Sequence, residues 1–211
     1  AIRFMDQENF LSTSSYLGLE MSNPDYLQIL TDNNNETKIR NRLKKGKIIN
    51  LAWLGRVEDF KTPILMHIIE RLCDIHTFDI NFSIIGTGGD IEKVRELSRQ
   101  QKNIAFSFIS EIPHDNMQKA FEDIDILFAM GTSALDGAKN KVPTILVDYS
   151  YEKINGLYQF KMIYEKQNYN MAELINSSHM EKMSSLENLL TDIFNNYEDY
   201  SKRSFLYWKE N

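Results

Sequence analysis

From Leu54 to Lys61 the chain reads LGRVEDFK, an apolar run that stops at Gly55 and then sets out Arg56 and Lys61 around the acidic pair Glu58 and Asp59. A guanidinium can fork two phosphate oxygens, an ammonium five positions later adds a mobile point charge, and glycine allows a tight exit from a strand. A solvated loop with charges of both signs accounts for the same spacing. Further on, IIGTGGDIEKVREL places Gly86, Thr87 and Gly88 between an apolar run and an amphipathic helix. Amides at a helix start, unshielded by side chains, suit an anion or a close-lying nucleotide. The dinucleotide fingerprint G-x-G-x-x-G would need a glycine at position 91, which is Ile91, and a turn that only joins strand to helix fits equally well.

Two more stretches have the same character. FISEIPHDNMQKAF sets Ser110 to His114, Ile112 among them, before a helix that a polar residue such as Asp115 would cap; a plain connecting loop also explains it. AMGTSALDGAKNKVPTI opens a helix with Gly131, Thr132 and Ser133, which could cap it or, with backbone amides, hold a phosphate. Asp136 lies about one turn inside an otherwise small, apolar stretch, where an acceptor-only carboxylate suits a pair of sugar hydroxyls.

What must position these residues is an alternation of strand and helix. From Lys47 onward the apolar runs IINLAWLG, INFSIIG, IAFSFI, IDILFAM and PTILVDY alternate with the helical periods TPILMHIIERLCDIH, DIEKVRELSRQQ, DNMQKAFED and SALDGAKN. This is the pattern of βαβ units, and the near-continuous apolarity of the strands fits burial on both faces. The fold class predicted is α/β: a Rossmann-like, doubly wound parallel sheet with helices on both faces and extra C-terminal helices. In such a sheet ligands bind beyond the carboxyl ends of the strands, where all four stretches fall. Residues 47–150 form the predicted core domain. Residues 1–46, with the polar run TDNNNETKIRNRLKKGK, read as a linker and the approach from a preceding domain; residues 151–211 read as helices (MAELI, SLENLLTDIFNNYEDY, SKRSFLYWKEN) packing on the core. The first residue is not Met, and missing upstream sequence is expected.

The 211 residues suffice for one substantial α/β domain and an appendage, and the apolar fraction of 42% excludes a disordered chain. A formal charge of −6 gives no general attraction for nucleic acid or anionic lipid, so phosphate must be held by a local cluster. Cys73 is alone, which rules out an intrachain disulfide and fits a reducing, cytoplasmic setting. His67, His76, His114 and His179 lack metal-ligand spacing, so no metal site is expected.

Taken in order, the motifs LGRVEDFK, IIGTGGDIEKVREL, IPHDNMQKAFEDIDI and LDGAKNKVP resemble the C-terminal, donor-binding domain of GT-B-fold glycosyltransferases, the glycogen-synthase-like group 1 enzymes that build bacterial surface polysaccharides. The resemblance runs from about Lys47 to Val147. It implies that Arg56 and Lys61, beside Gly55, hold the diphosphate of a UDP-, GDP- or ADP-sugar, with no other cofactor. Gly86, Thr87 and Gly88 would lie close to the nucleotide, Ser110 to Ile112 would receive the base through backbone atoms, and Asp136 would bind the ribose hydroxyls. It further implies a glycan or lipid-linked acceptor brought by an N-terminal domain, and allows peripheral membrane association of the full-length enzyme. No catalytic residue is assigned. Phe128 stands where the family has a first, sugar-contacting glutamate, Asp136 replaces its second, and Lys141 replaces the glycine before the proline; donor-sugar selection would then fall to Gly131, Thr132 and Ser133. Two alternatives remain, an NAD-dependent oxidoreductase and a non-catalytic nucleotide-binding module of the same fold.

Overall fold

The computed structural model describes residues 2–20, 22, 24–27, 48–166, 169–176 and 185–211. The polar run at 31–47 and His179 lie outside the described residues. Five strands, β3 (Ile48–Leu54), β4 (Asp79–Ile85), β5 (Ile104–Ile109), β6 (Ile126–Ala129) and β7 (Thr144–Leu146), form a parallel sheet in the order β5-β4-β3-β6-β7. From β3 the chain winds outward through β4 and β5, then returns to the other side of β3 for β6 and β7. The topological switch therefore lies between β3 and β6, where Leu54 pairs with Ala129.

Alternation along the central strand assigns the two faces. Ile49, Leu51 and Trp53 join a core under α2 (Thr62–Cys73), α3 (Ile91–Arg99) and α6 (Leu186–Asn195). Ala52 and Leu54 join a second core under α4 (His114–Phe121), α5 (Thr132–Lys139) and α7 (Tyr197–Glu210). Gly137 lets α5 lie close on the sheet, since a Cβ there would stand 2.3 Å from Leu127 and 2.7 Å from Thr144. Two serines do the same for α7: the Ser201 hydroxyl donates to the Lys141 carbonyl at 2.6 Å, and the Thr144 amide donates to Ser204 Oγ at 3.3 Å. Lys141 takes φ +59°, the left-handed conformation that glycine favours.

The helix expected over MAELI is not formed. Residues 169–176 run as an irregular strap in which Leu174 makes a parallel bridge with Tyr149, so the tertiary partner overrides the helical spacing. The sheet also gains an antiparallel edge strand, β8 (Lys161–Met162), paired with β7. The C-terminal helices are present, but the break falls at Asn196 rather than after Tyr200. Before the core, β1 (Arg3–Phe4) and β2 (Asp25–Tyr26) pair in parallel beside α1 (Gln7–Leu17), with Phe4 and Phe10 buried against each other.

His67 is buried in α2, stacked on Phe160 and edge-on to Tyr158. Burial, then Arg71, pushes its pKa down to about 4, with Glu70 opposing. The unfolded chain, with an ordinary imidazole near 6.5, therefore binds the proton first. Stability is complete above that pH and falls as pH drops towards 4, by roughly 3 kcal/mol from this residue. Urea denaturation at pH 7, 5.5 and 4.5 should record the decline, and His67→Leu should flatten it; an unchanged slope in the variant would refute the assignment.

Candidate functional site

The mouth of the sheet is built by loops that continue the parallel ladder past the strand ends. The Gly55 amide donates to the Ile85 carbonyl at 3.0 Å and the Gly86 amide to the Ile109 carbonyl at 2.8 Å. Beyond them the Val57 amide donates to the Thr87 carbonyl at 2.9 Å, and the Asp90 amide to the Val57 carbonyl at 3.2 Å. The two turns touch backbone to backbone. A Cβ on Gly86 would stand 2.1 Å from the Gly55 oxygen, and one on Gly88 2.0 Å from the Val57 oxygen. Gly86 and Gly88 thus admit the neighbouring loop at distances that a side chain would forbid.

That contact brings Gly55, Arg56 and Lys61 beside Gly86, Thr87 and Gly88. Arg56 is exposed and Lys61 half-buried, and neither forms an ion pair among the described residues. Burial, then the Arg56 charge, pushes the Lys61 pKa down, while Glu58 pulls it up. Lys61 also occupies the N-cap of α2, at the positive end of the helix dipole. Two cations and a helix start at one strand end form a place where an anion relieves repulsion.

Across the switch, Gly131 is the N-cap of α5 at φ +63°, with no side chain capping the helix. Thr132 and Ser133 are its first two residues and do not cap it. The Gly131 amide is not available to a ligand, because it donates to the Met171 carbonyl of the strap at 2.8 Å. Asp136 is half-exposed one turn into α5. Phe128 is fully buried within β6, paired with Trp53, so this position cannot present a side chain to the mouth.

The remaining predicted residues lie at the far edge. Ser110 is exposed just past β5, two strands from β3 and thus roughly 10 Å away along the sheet. Ile112 turns back and packs on the core that contains Leu54, Ile85 and Ala129, returning the segment towards the switch. Pro113, not Asp115, is the N-cap of α4, because the helix begins at His114. A pocket of about 300 Å³ opens between α2, the start of α3 and residues 151–154, and none of the predicted residues lines it. Among the described residues no group of three or more His, Cys, Asp or Glu could hold a metal ion, and no helix is long and apolar enough to cross a membrane.

One cluster at the mouth left no trace in the motifs. Asp148, just past β7 and 1% exposed, accepts from Lys166 Nζ at 2.7 and 2.9 Å and from the Tyr158 hydroxyl at 2.8 Å. Lys166 also donates to Glu173 of the strap at 2.8 Å. Burial, then Asp148, raises the Tyr158 pKa well above that of an ordinary phenol, which keeps its proton on the hydrogen bond. The partners lie 10, 18 and 25 residues from Asp148, separations without periodicity for a sequence reading to detect.

No family model and no curated protein matches this sequence. Solved structures do match its architecture. The lipopolysaccharide outer core galactosyltransferase WaaB superposes with a TM-score of 0.57 at 13% identity, over 98% of this chain and 59% of its own. S. aureus TarM, solved with UDP, gives 0.53 at 17% identity, over 97% of this chain and 39% of its own. The catalytic domain of cholesterol-α-glucosyltransferase from Helicobacter pylori gives 0.52 at 9% identity, over 77% of this chain and 99% of its own. The architecture is that of a Rossmann-like domain of the GT-B kind. This chain spans about half the length of WaaB and TarM, and identities this low carry the architecture alone.

If Gly88 serves the Val57 contact, Gly88→Ala forces the loops apart and costs about 3 kcal/mol, as overpacking does. Gly89→Ala, into open space, changes stability by less than about 0.5 kcal/mol. Chemical denaturation of both variants separates a packing role from a general dislike of side chains in this turn; equal effects would reject it.

Proposed function

We propose that this chain is the donor-binding domain of a glycosyltransferase, holding a nucleoside diphosphate sugar across the β3–β6 switch. The observation that carries the reading is the pair Arg56 and Lys61, two cations without an ion-pair partner among the described residues, at the crevice where an open α/β sheet binds ligands. In this reading the guanidinium forks diphosphate oxygens and the ammonium neutralises the rest. As the glycosyl bond breaks, negative charge grows on the departing diphosphate, and these fixed cations stabilise it more than they do the bound donor. Thr132 and Ser133, the first residues of α5 across the switch, meet the sugar of the donor.

Asp136 then accepts the ribose hydroxyls, and the segment from Ser110 to Ile112 receives the base through its backbone. The donor is a UDP-, GDP- or ADP-sugar. The acceptor, a growing glycan or lipid-linked saccharide, is brought by an N-terminal domain of the full-length protein, as in surface polysaccharide or lipopolysaccharide synthesis on the cytoplasmic side. Support for the class comes from the glycosyltransferase folds that this chain resembles, one of them solved with UDP. By itself the chain binds donor and transfers nothing.

Calorimetric titration of the folded chain with UDP, GDP and ADP should give heat with at least one of them. Arg56→Ala together with Lys61→Ala should weaken that binding about a hundredfold, the size of two charge-assisted contacts. No heat from any nucleotide, or undiminished binding in the double variant, would sink the assignment.

A further inference from the structure

The strap 169–176 has almost no regular structure, yet it fixes the end of β6. Its Met171 carbonyl takes the Gly131 amide, and it bonds Tyr149 twice, through the Glu173 carbonyl at 3.0 Å and the Ile175 amide at 2.8 Å. The Glu173 amide in turn donates to Asp148 Oδ1 at 3.0 Å. Two carboxylates, one buried and one about two-thirds buried, thus meet at a single ammonium, Lys166, whose side chain is 5% exposed. With the ammonium removed, Asp148 and Glu173 would repel across a desolvated gap, and the strap is the part with least structure to resist.

We infer that Lys166 is a positioning residue of the donor site. Its ammonium, shared by Asp148 and Glu173, clamps the strap over the end of β6, and through the Met171–Gly131 hydrogen bond it sets where Thr132 and Ser133 meet the sugar of the donor. This rests on the donor-site reading above. The cations Arg56 and Lys61 lie on the other side of the switch, so the clamp governs the sugar end and leaves the diphosphate end alone.

The test compares a nucleotide with its sugar conjugate: UDP with UDP-glucose, UDP-galactose and UDP-N-acetylglucosamine, GDP with GDP-mannose, and ADP with ADP-glucose. They are titrated into the unaltered chain, Lys166→Met and Glu173→Gln. Glu173→Gln keeps the Lys166–Asp148 pair and decides the matter if Lys166→Met does not fold. The unaltered chain should prefer one sugar conjugate to its nucleotide. The variants should lose that preference, by about tenfold for Lys166→Met and less for Glu173→Gln, with affinity for the bare nucleotide kept within about twofold. Hydrogen exchange at the Gly131 amide should quicken in the same order. A preference retained in the folded variants, a parallel loss for nucleotide and conjugate, no preference in the unaltered chain, or a Gly131 amide as protected as before would overturn the clamp while leaving the donor site standing. An unaltered chain that binds none of these ligands overturns both.

Discussion

Val57 lies where two backbones meet without side chains between them, its amide and carbonyl both taken by the turn that follows β4. The contact fixes the distance between the ends of β3 and β4, and it needs glycine at 86 and 88 because a carbonyl oxygen occupies the space of each Cβ. From it follow the direction in which Arg56 leaves the strand, the start of α2 at Lys61 and the entry of the chain into α3. A ladder that ended at the last residue of each strand would leave these loops to solvent. Here each strand end is tied to the next, from Gly55 to Ile85 and from Gly86 to Ile109.

The mouth treats charge in two opposite ways. Around Asp148 the ionic groups are buried, matched and hydrogen-bonded to one another, an arrangement in which loss of one partner costs about 3–5 kcal/mol. At Arg56 and Lys61, on the other side of the switch, like charges sit together beside a helix start. The first group is electrostatically closed on itself, whereas at the second an anion would relieve the repulsion.

The order of strands and helices was legible because parallel strands are buried on both faces, and runs such as IINLAWL announce it without alternation. The ends of those strands were legible as places. What happens at them was only partly so. A G-x-G turn has one spacing whether a phosphate or a neighbouring carbonyl lies against it, so the sequence could not show that the Gly55 oxygen sits against Gly86 and the Val57 oxygen against Gly88. MAELI has helical spacing, but its bridge to Tyr149 decides its conformation, and that partner lies a quarter-hundred residues away. Asp148 and Lys166 carry no motif at all; their pairing depends on how the chain returns after β7.

The serine face of α7 has a kinetic side. Ser201 and Ser204 brace Lys141 and Thr144 from about sixty residues downstream, so α5 and β7 leave a ribosome well before their support does. At ordinary rates of synthesis that interval lasts seconds, longer than a helix or a loop needs to form. Until α7 emerges, the Lys141 carbonyl lacks the Ser201 hydroxyl and the Thr144 amide lacks Ser204, so α5 and β7 gain this bracing only when the C-terminal helix has formed.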